Sequence, residues 1–252
     1  MKMIREFVDI HQASIAAVKH ITSLAESAVM DKGFFTIVLA GGSTPQHTYE
    51  LLSEPANAVR MDWEQSHFFW GDERWVDSTN PDSNFGLAQK NLLSKVAIPH
   101  QNIHQITTGH TDPVIGAAMY EKHLRNFFHS VARAETNGTV ADMIVPRFDL
   151  ILLGMGTDGH TASLFPGSEI LSEQKKWVAA VEAGTGSPPL PRITLTLPIL
   201  NRAKNILFLI SGSRKREILD TILTRPTEAE VLYPAACIRP TGNLIWMVAE
   251  NG

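Results

Sequence analysis

Four apolar runs in this sequence give way, within a residue or two, to a glycine followed by polar side chains. No other feature restricts the fold as much. Phe34–Ala40 precedes Gly41-Gly42-Ser43-Thr44, and His67–Trp70 precedes Gly71-Asp72-Glu73-Arg74. Phe148–Leu153 precedes Gly154-Met155-Gly156-Thr157-Asp158-Gly159-His160, and Ile206–Ile210 precedes Gly212-Ser213-Arg214-Lys215. Short runs of β-branched, aromatic and aliphatic residues without polar alternation are buried on both faces, as strands of a parallel sheet are. In an open parallel sheet the ligand crevice lies outside the carboxyl ends of the strands, so these four loops should converge on one site.

The same strand pattern recurs at Trp177–Val181, Ile193–Leu197 and Leu244–Val248, with a short strand near Ile4–Val8. Between them lie helical stretches. Residues 11–30 place Ile15, Val18, Ile21, Ala25, Ala28 and Val29 at three-and-four spacing, and Gly33 closes that helix. Further helices are predicted near 45–53, 83–95, 112–133 and 213–223. The alternation predicts an α/β fold: a three-layer, doubly wound, mainly parallel sheet with helices on both faces, formed as a single domain over 1–252. The Gly/Thr/Asn-rich stretch 134–142 reads as a surface loop, and the Gly/Pro/Ser-rich loop Glu182–Pro191 as a border of the site.

Composition narrows the partners. With 44% hydrophobic and 19% charged residues the chain can bury a full core. A formal net charge of −4, and no basic run longer than the three residues Arg214-Lys215-Arg216, give no nucleic-acid footprint. Apolar runs such as Ile206–Ile210 are far short of the ~20 residues of a membrane span, and Glu6 and Asp9 interrupt any export signal, so a cytoplasmic protein is expected. The single cysteine, Cys237, sits in an apolar stretch without a neighbouring positive charge and reads as core. A small-molecule partner remains, acting on a monomer or weak homo-oligomer.

Gly41-Gly42-Ser43-Thr44-Pro45 leads from a strand into a helix, where free backbone N–H groups and hydroxyls suit an anion such as phosphate. On its own the segment also reads as a tight turn, with Ser43 or Thr44 as N-cap and Pro45 as the first helical residue. Arg192, opening a strand, and Lys215, opening a helix, are placed to add full positive charge. Gly154–Gly159 matches the dinucleotide pattern G-x-G-x-x-G, but Pro166 and Gly167 arrive too soon for the long helix that pattern opens. His160 suits proton transfer instead: an imidazole titrates near 6.5, and Asp158 is close enough to orient it. On its own Asp72-Glu73-Arg74 reads as a surface salt-bridge turn; beside the other loops, Asp72 and Arg74 are candidates to place a second carboxylate and a guanidinium across the crevice, to hold the imidazole's tautomer or to polarise a carbonyl. No metal site is expected: there is no His-Glu-x-x-His, and His100, His104 and His110 lack ligand-like framing. Pro45 stands where a serine hydrolase's nucleophile elbow needs glycine.

Taken together, Leu39–Pro45, Trp70–Arg74, Ser83-Asn84, Gly154–Pro166, Arg192-Ile193-Thr194 and Ser211-Gly212 with Lys215 resemble the 6-phosphogluconolactonase family, of the superfamily that also contains glucosamine-6-phosphate deaminase/isomerase. The likeness spans nearly the whole chain. It implies hydrolysis of a phosphosugar lactone without metal or organic cofactor, with the phosphate on Gly42, Ser43, Thr44, Arg192 and Lys215. It also implies His160 as general base with Asp158 beside it, and Asp72 and Arg74 in the second active-site loop. The deaminase branch typically continues its Asp-Gly-His segment into Ile-Ala-Phe-Asn-Glu and has Asp-Glu-Tyr in the second loop. This chain has Thr161-Ala162-Ser163-Leu164-Phe165-Pro166 and Asp72-Glu73-Arg74, which favours the lactonase branch. A phosphosugar-binding regulator is the alternative outside enzymes.

Overall fold

A computed structural model of the chain describes residues 2–109, 112–135, 146–184 and 186–251. From residue 136 onward the predicted loop 134–142 lies outside these, as does His110. The strands are β1 (Lys2–Asp9), β2 (Phe35–Leu39), β3 (Ser66–Trp70), β4 (Asp72–Arg74), β5 (Ile103–His104), β6 (Leu150–Leu153), β7 (Val178–Val181), β8 (Arg192–Leu195), β9 (Asn205–Ser211) and β10 (Asn243–Asn251). The helices are α1 (Ile10–Lys32), α2 (Ser43–Ser53), α3 (Pro55–Ala58), α4 (Asn84–Asn91), α5 (Pro113–Glu135), α6 (Leu197–Leu200), α7 (Ser213–Thr224) and α8 (Pro226–Leu232).

Seven strands form one sheet in the order β1-β10-β9-β6-β2-β3-β5, every pair parallel. The four strands that end at glycine loops, β9, β6, β2 and β3, are consecutive neighbours at its centre. Their loops therefore emerge side by side, as the sequence pattern requires. The core wraps this centre, with Phe35, Phe68, Phe69, Trp70, Phe208 and Trp246 fully buried. Asp149, just before β6, is buried and clamps the sheet to α1. Its carboxylate accepts from the Thr36 backbone N–H and hydroxyl at 2.9 and 2.8 Å, and pairs with Lys32 at 2.9 Å and Lys204 at 3.0 Å.

The edge near β5 is pinned by three imidazoles in a chain, His67 to His104 at 3.1 Å and His104 to His123 at 2.8 Å. His104 also stacks flat on Phe69. Burial pushes His67 down to about 4 and His104 down to about 3, aided by Lys32 at the first and by His123 and His67 at the second. The chain is a neutral structural link between β3, β5 and α5.

Two predicted strands belong elsewhere. Trp177–Val181 and Ile193–Leu197 are not in the parallel sheet; β7 and β8 join β4 in a separate antiparallel sheet of order β4-β8-β7. Connection length explains this: a parallel return needs a crossover of a dozen or more residues, whereas 182–191 is short and its described residues carry no helix. Smaller differences follow the local chemistry. Helix α2 begins at Ser43, two residues before Pro45, because Gly42 and not a side chain ends the loop. The predicted helix 83–95 is α4, capped by Ser83, followed by a 3-10 turn at Leu93–Lys95. Cys237 is only partly buried, though it packs on the core, and burial pushes its thiol up.

Candidate active site

Two helices start from the central strands in the same way. Gly42 (φ 99°, ψ 169°) precedes α2 and Gly212 (φ 95°, ψ 151°) precedes α7. Only glycine adopts that backbone region readily, and it turns each chain sharply from strand into helix. Neither helix has a side-chain cap, so the first N–H groups of each are left for another acceptor. The start of α2 opens onto a cavity of about 210 Å³ at the carboxyl ends of the sheet strands, and α7 contributes Lys215 to its wall. Gly42, Ser43, Thr44, Asp72, Arg74, His160, Arg192 and Lys215 all line it. Burial lowers the Lys215 ammonium from its ordinary range, a cost that a bound anion would relieve.

Asp158 is the one predicted site residue that does not line the cavity, and its position explains its role. The His160 ring Nδ1 lies 2.6 Å from Asp158 Oδ1, which also accepts from the His160 backbone N–H at 3.1 Å. A carboxylate only accepts, so the ring proton sits on Nδ1 and Nε2 carries the free lone pair. Burial raises the Asp158 carboxyl, but the His160 ring and backbone hydrogen bonds outweigh it and hold the group below the usual range. The loop leaves no slack. A Cβ on Gly156 would lie 2.2 Å from His160 Cε1 and Nδ1 and 2.6 Å from Asp158 Oδ1. After Gly159 no helix follows; Thr161 bridges back to Leu164 in a tight turn, which removes the dinucleotide reading.

Asp72 lies apart from this pair. Its carboxylate accepts from Ser163 Oγ at 2.7 Å and from Asn84 Nδ2 at 3.1 Å, and its partners do not include His160. Holding the imidazole's tautomer therefore falls to Asp158. Glu73 points the other way and organises the loop, accepting the backbone N–H groups of Arg74, Asn84 and Phe85 at 2.7, 2.7 and 2.8 Å. Burial raises its carboxyl, against the pull of those donors. Asn84 stands in the sequence only within the Ser83-Asn84 motif, and nothing there marks Ser163 as a site residue. Only the pairing of distant loops reveals that both fix Asp72.

The small antiparallel sheet brings two candidate site cations together. In its register Arg74 stands directly opposite Arg192, so two guanidiniums neighbour each other on one face. Arg192 is 3% exposed, and its Nη2 donates to the Ser187 and Pro188 carbonyls at 3.2 and 3.1 Å. Loop 182–191 thus borders the site by holding an arginine. Burial lowers the Arg192 pKa, opposed in part by Asp72 and reinforced by Arg74. Like charges set side by side in a buried wall call for an anion between or beside them. Phe165 separates this cation from the base: its ring centroid lies 4.8 Å from that of His160 and 5.5 Å from Arg192 Cζ.

An open parallel sheet with an anion cradle and an oriented imidazole at its carboxyl edge is the architecture of an α/β enzyme. The chain belongs to the family of glucosamine-6-phosphate isomerases/6-phosphogluconolactonase, whose model matches residues 9–246. It is 39% identical over 223 residues to a 6-phosphogluconolactonase of Nostoc sp., covering 88% of this chain and 85% of that one. It is 38% identical over 231 residues to that of Synechocystis sp., covering 92% and 88%. The crystal structure of 6-phosphogluconolactonase from Thermotoga maritima superposes with a TM-score of 0.82 at 30% identity, covering 99% of this chain and 100% of that one.

Proposed function

We propose that this chain hydrolyses 6-phospho-D-glucono-1,5-lactone to 6-phosphogluconate, in the oxidative branch of the pentose phosphate pathway, and that His160 is its general base. The supporting observation is that one cavity is lined both by an uncapped helix start with basic side chains and by an imidazole whose Nδ1 is tied to Asp158. The N–H groups and hydroxyls at Gly42, Ser43 and Thr44, with Arg192 and Lys215, take the phosphate. Binding at that remote end fixes the lactone carbonyl near His160. Nε2 accepts a proton from a water molecule as its oxygen attacks C1. The C1–ring-oxygen bond of the tetrahedral intermediate then breaks, and the imidazolium returns the proton to the departing ring oxygen. Arg74, opposite Arg192 at the cavity wall, stabilises the negative charge that develops on the carbonyl oxygen. Asp72 serves as a fixed acceptor for the sugar. Every charge in this scheme comes from side chains and helix starts, without a metal or organic cofactor.

The deaminase alternative asks for a glutamate five residues after the histidine. Here that residue is Phe165, 2% exposed and packed on the His160 ring, an apolar wall with no proton to move. A non-catalytic phosphosugar regulator has no use for an imidazole oriented by a carboxylate. We further place the protein in the cytoplasm as a monomer or weak homo-oligomer with no nucleic-acid partner. Among the described residues no helix is long and apolar enough to cross a membrane. The test is lactone hydrolysis at near-neutral pH coupled to 6-phosphogluconate dehydrogenase, with the spontaneous rate subtracted. We expect activity that EDTA does not remove, and no ammonia release from glucosamine 6-phosphate. Ammonia release, or no rate above background, overturns the proposal.

A further inference from the structure

A second cavity, of about 280 Å³, lies at the far end of the sheet, where β1 and β10 begin. Its lining includes Ile222, Ala236, Ile238 and Leu244, all buried, with Lys2 and Arg239 beside them. Trp246 also lines it. This indole is fully buried and stacked on Phe208 at 3.9 Å, and its Nε1–H has no acceptor among the described residues. Arg239 is ion-paired with Glu230, whereas Lys2 has no carboxylate partner among the described residues. An apolar chamber with an ammonium at its rim that no carboxylate among the described residues pairs suits a molecule with an apolar body and a single negative charge.

The wall of this cavity reaches the catalytic loop. Ala235 and Ala236, in the 3-10 turn Pro234–Cys237, line the chamber, and the Ala235 N–H donates to the Gly159 carbonyl at 3.0 Å. Tyr233 packs flush on Gly159 (φ 80°): a Cβ there would meet its ring at 2.5 Å. Gly159 is the neighbour of His160. We propose that the chamber is a second ligand site, for a small apolar monocarboxylate, and that its occupancy is transmitted to His160 through residues 233–236. Burial and the nearby Arg239 both lower the Lys2 ammonium, as expected for a cation lacking its anion.

Phenylacetate is the probe, with phenylacetamide as its uncharged counterpart. The readout of binding is the Trp246 indole N–H resonance of the ¹⁵N-labelled protein, identified by its loss in Trp246→Phe. A saturable shift is expected, with phenylacetate binding about tenfold more tightly than phenylacetamide, because charge-assisted hydrogen bonds are roughly twice as strong as neutral ones. The preference should vanish in Lys2→Gln/Arg239→Gln, whose exposed side chains can be replaced without loss of the fold. No shift, or equal binding of acid and amide, overturns the site. The second arm measures kcat and KM for the lactone with the site saturated, and rests on the lactonase reading; the resonance arm does not, so the two failures are distinguishable. A change of about twofold or more, absent from the double variant, supports transmission through 233–236. Saturation with kcat and KM both unchanged overturns it.

Discussion

His160→Ala should lower kcat for lactone hydrolysis by about 10²–10⁴-fold, the range that positioned general acid–base groups contribute. KM should stay within a few-fold of the parent, because the proposed phosphate site at Gly42, Ser43 and Thr44 does not include the imidazole. Nε2 acts twice in the proposed reaction, first on water and then on the ring oxygen, so both steps lose their proton carrier. The fold should not suffer: the His160 side chain is 31% exposed, and its polar partner is Asp158, itself 48% exposed. Steady-state kinetics over the spontaneous background, alongside thermal melting, check this. A variant that keeps more than about a tenth of the parent kcat would remove His160 from the chemistry.

Gly156→Ala should be nearly as damaging, although the added methyl touches no substrate. The new Cβ would lie 2.2 Å from His160 Nδ1 and 2.6 Å from Asp158 Oδ1, so the imidazole and carboxylate cannot keep their 2.6 Å hydrogen bond. A base displaced by about an ångström costs on the order of 10²-fold. Gly154→Ala is the control. A Cβ at Gly154 meets no protein atom within 4 Å and neither glycine has a positive φ, so the dyad stays intact there and kcat should fall far less than in Gly156→Ala, while the methyl, entering the cavity that Gly154 lines, raises KM. Comparable losses at both positions would mean that general disturbance of the loop, not the dyad geometry, limits the rate.

The centre of the site was readable from sequence because it depends on strand order and local turns. Once four apolar runs end at glycines, parallel-sheet geometry alone brings Gly42, Asp72, Gly154 and Lys215 to one edge, and the structure places them there. Asp158 and His160 are two residues apart, close enough for a hydrogen bond within one loop. The antiparallel sheet was harder to read. Val178–Val181 is as apolar as the central strands and Arg192–Leu195, though it carries Arg192 and Thr194, is buried throughout, so the short connection 182–191 is the feature that sets them apart. That misplacement concealed the register that sets Arg74 against Arg192. Ser163 was hidden for a related reason: it holds Asp72 across 91 residues, and no local pattern records such a contact, while Asn84, 12 residues from Asp72, stood in the sequence only as part of the Ser83-Asn84 motif. Polar residues of this kind look like ordinary caps and turns until the loops are assembled.

The central claim is that one cavity holds the phosphate at the start of α2 and the carbonyl carbon at His160. A crystal structure with the product 6-phosphogluconate bound tests it most directly. Phosphate oxygens are expected to be hydrogen-bonded to the backbone N–H groups of residues 42–44 and to Arg192 and Lys215, with the C1 carboxylate about 3–3.5 Å from His160 Nε2. A product bound in the reverse direction, with its phosphate at His160, would contradict it, as would a product lodged outside this cavity.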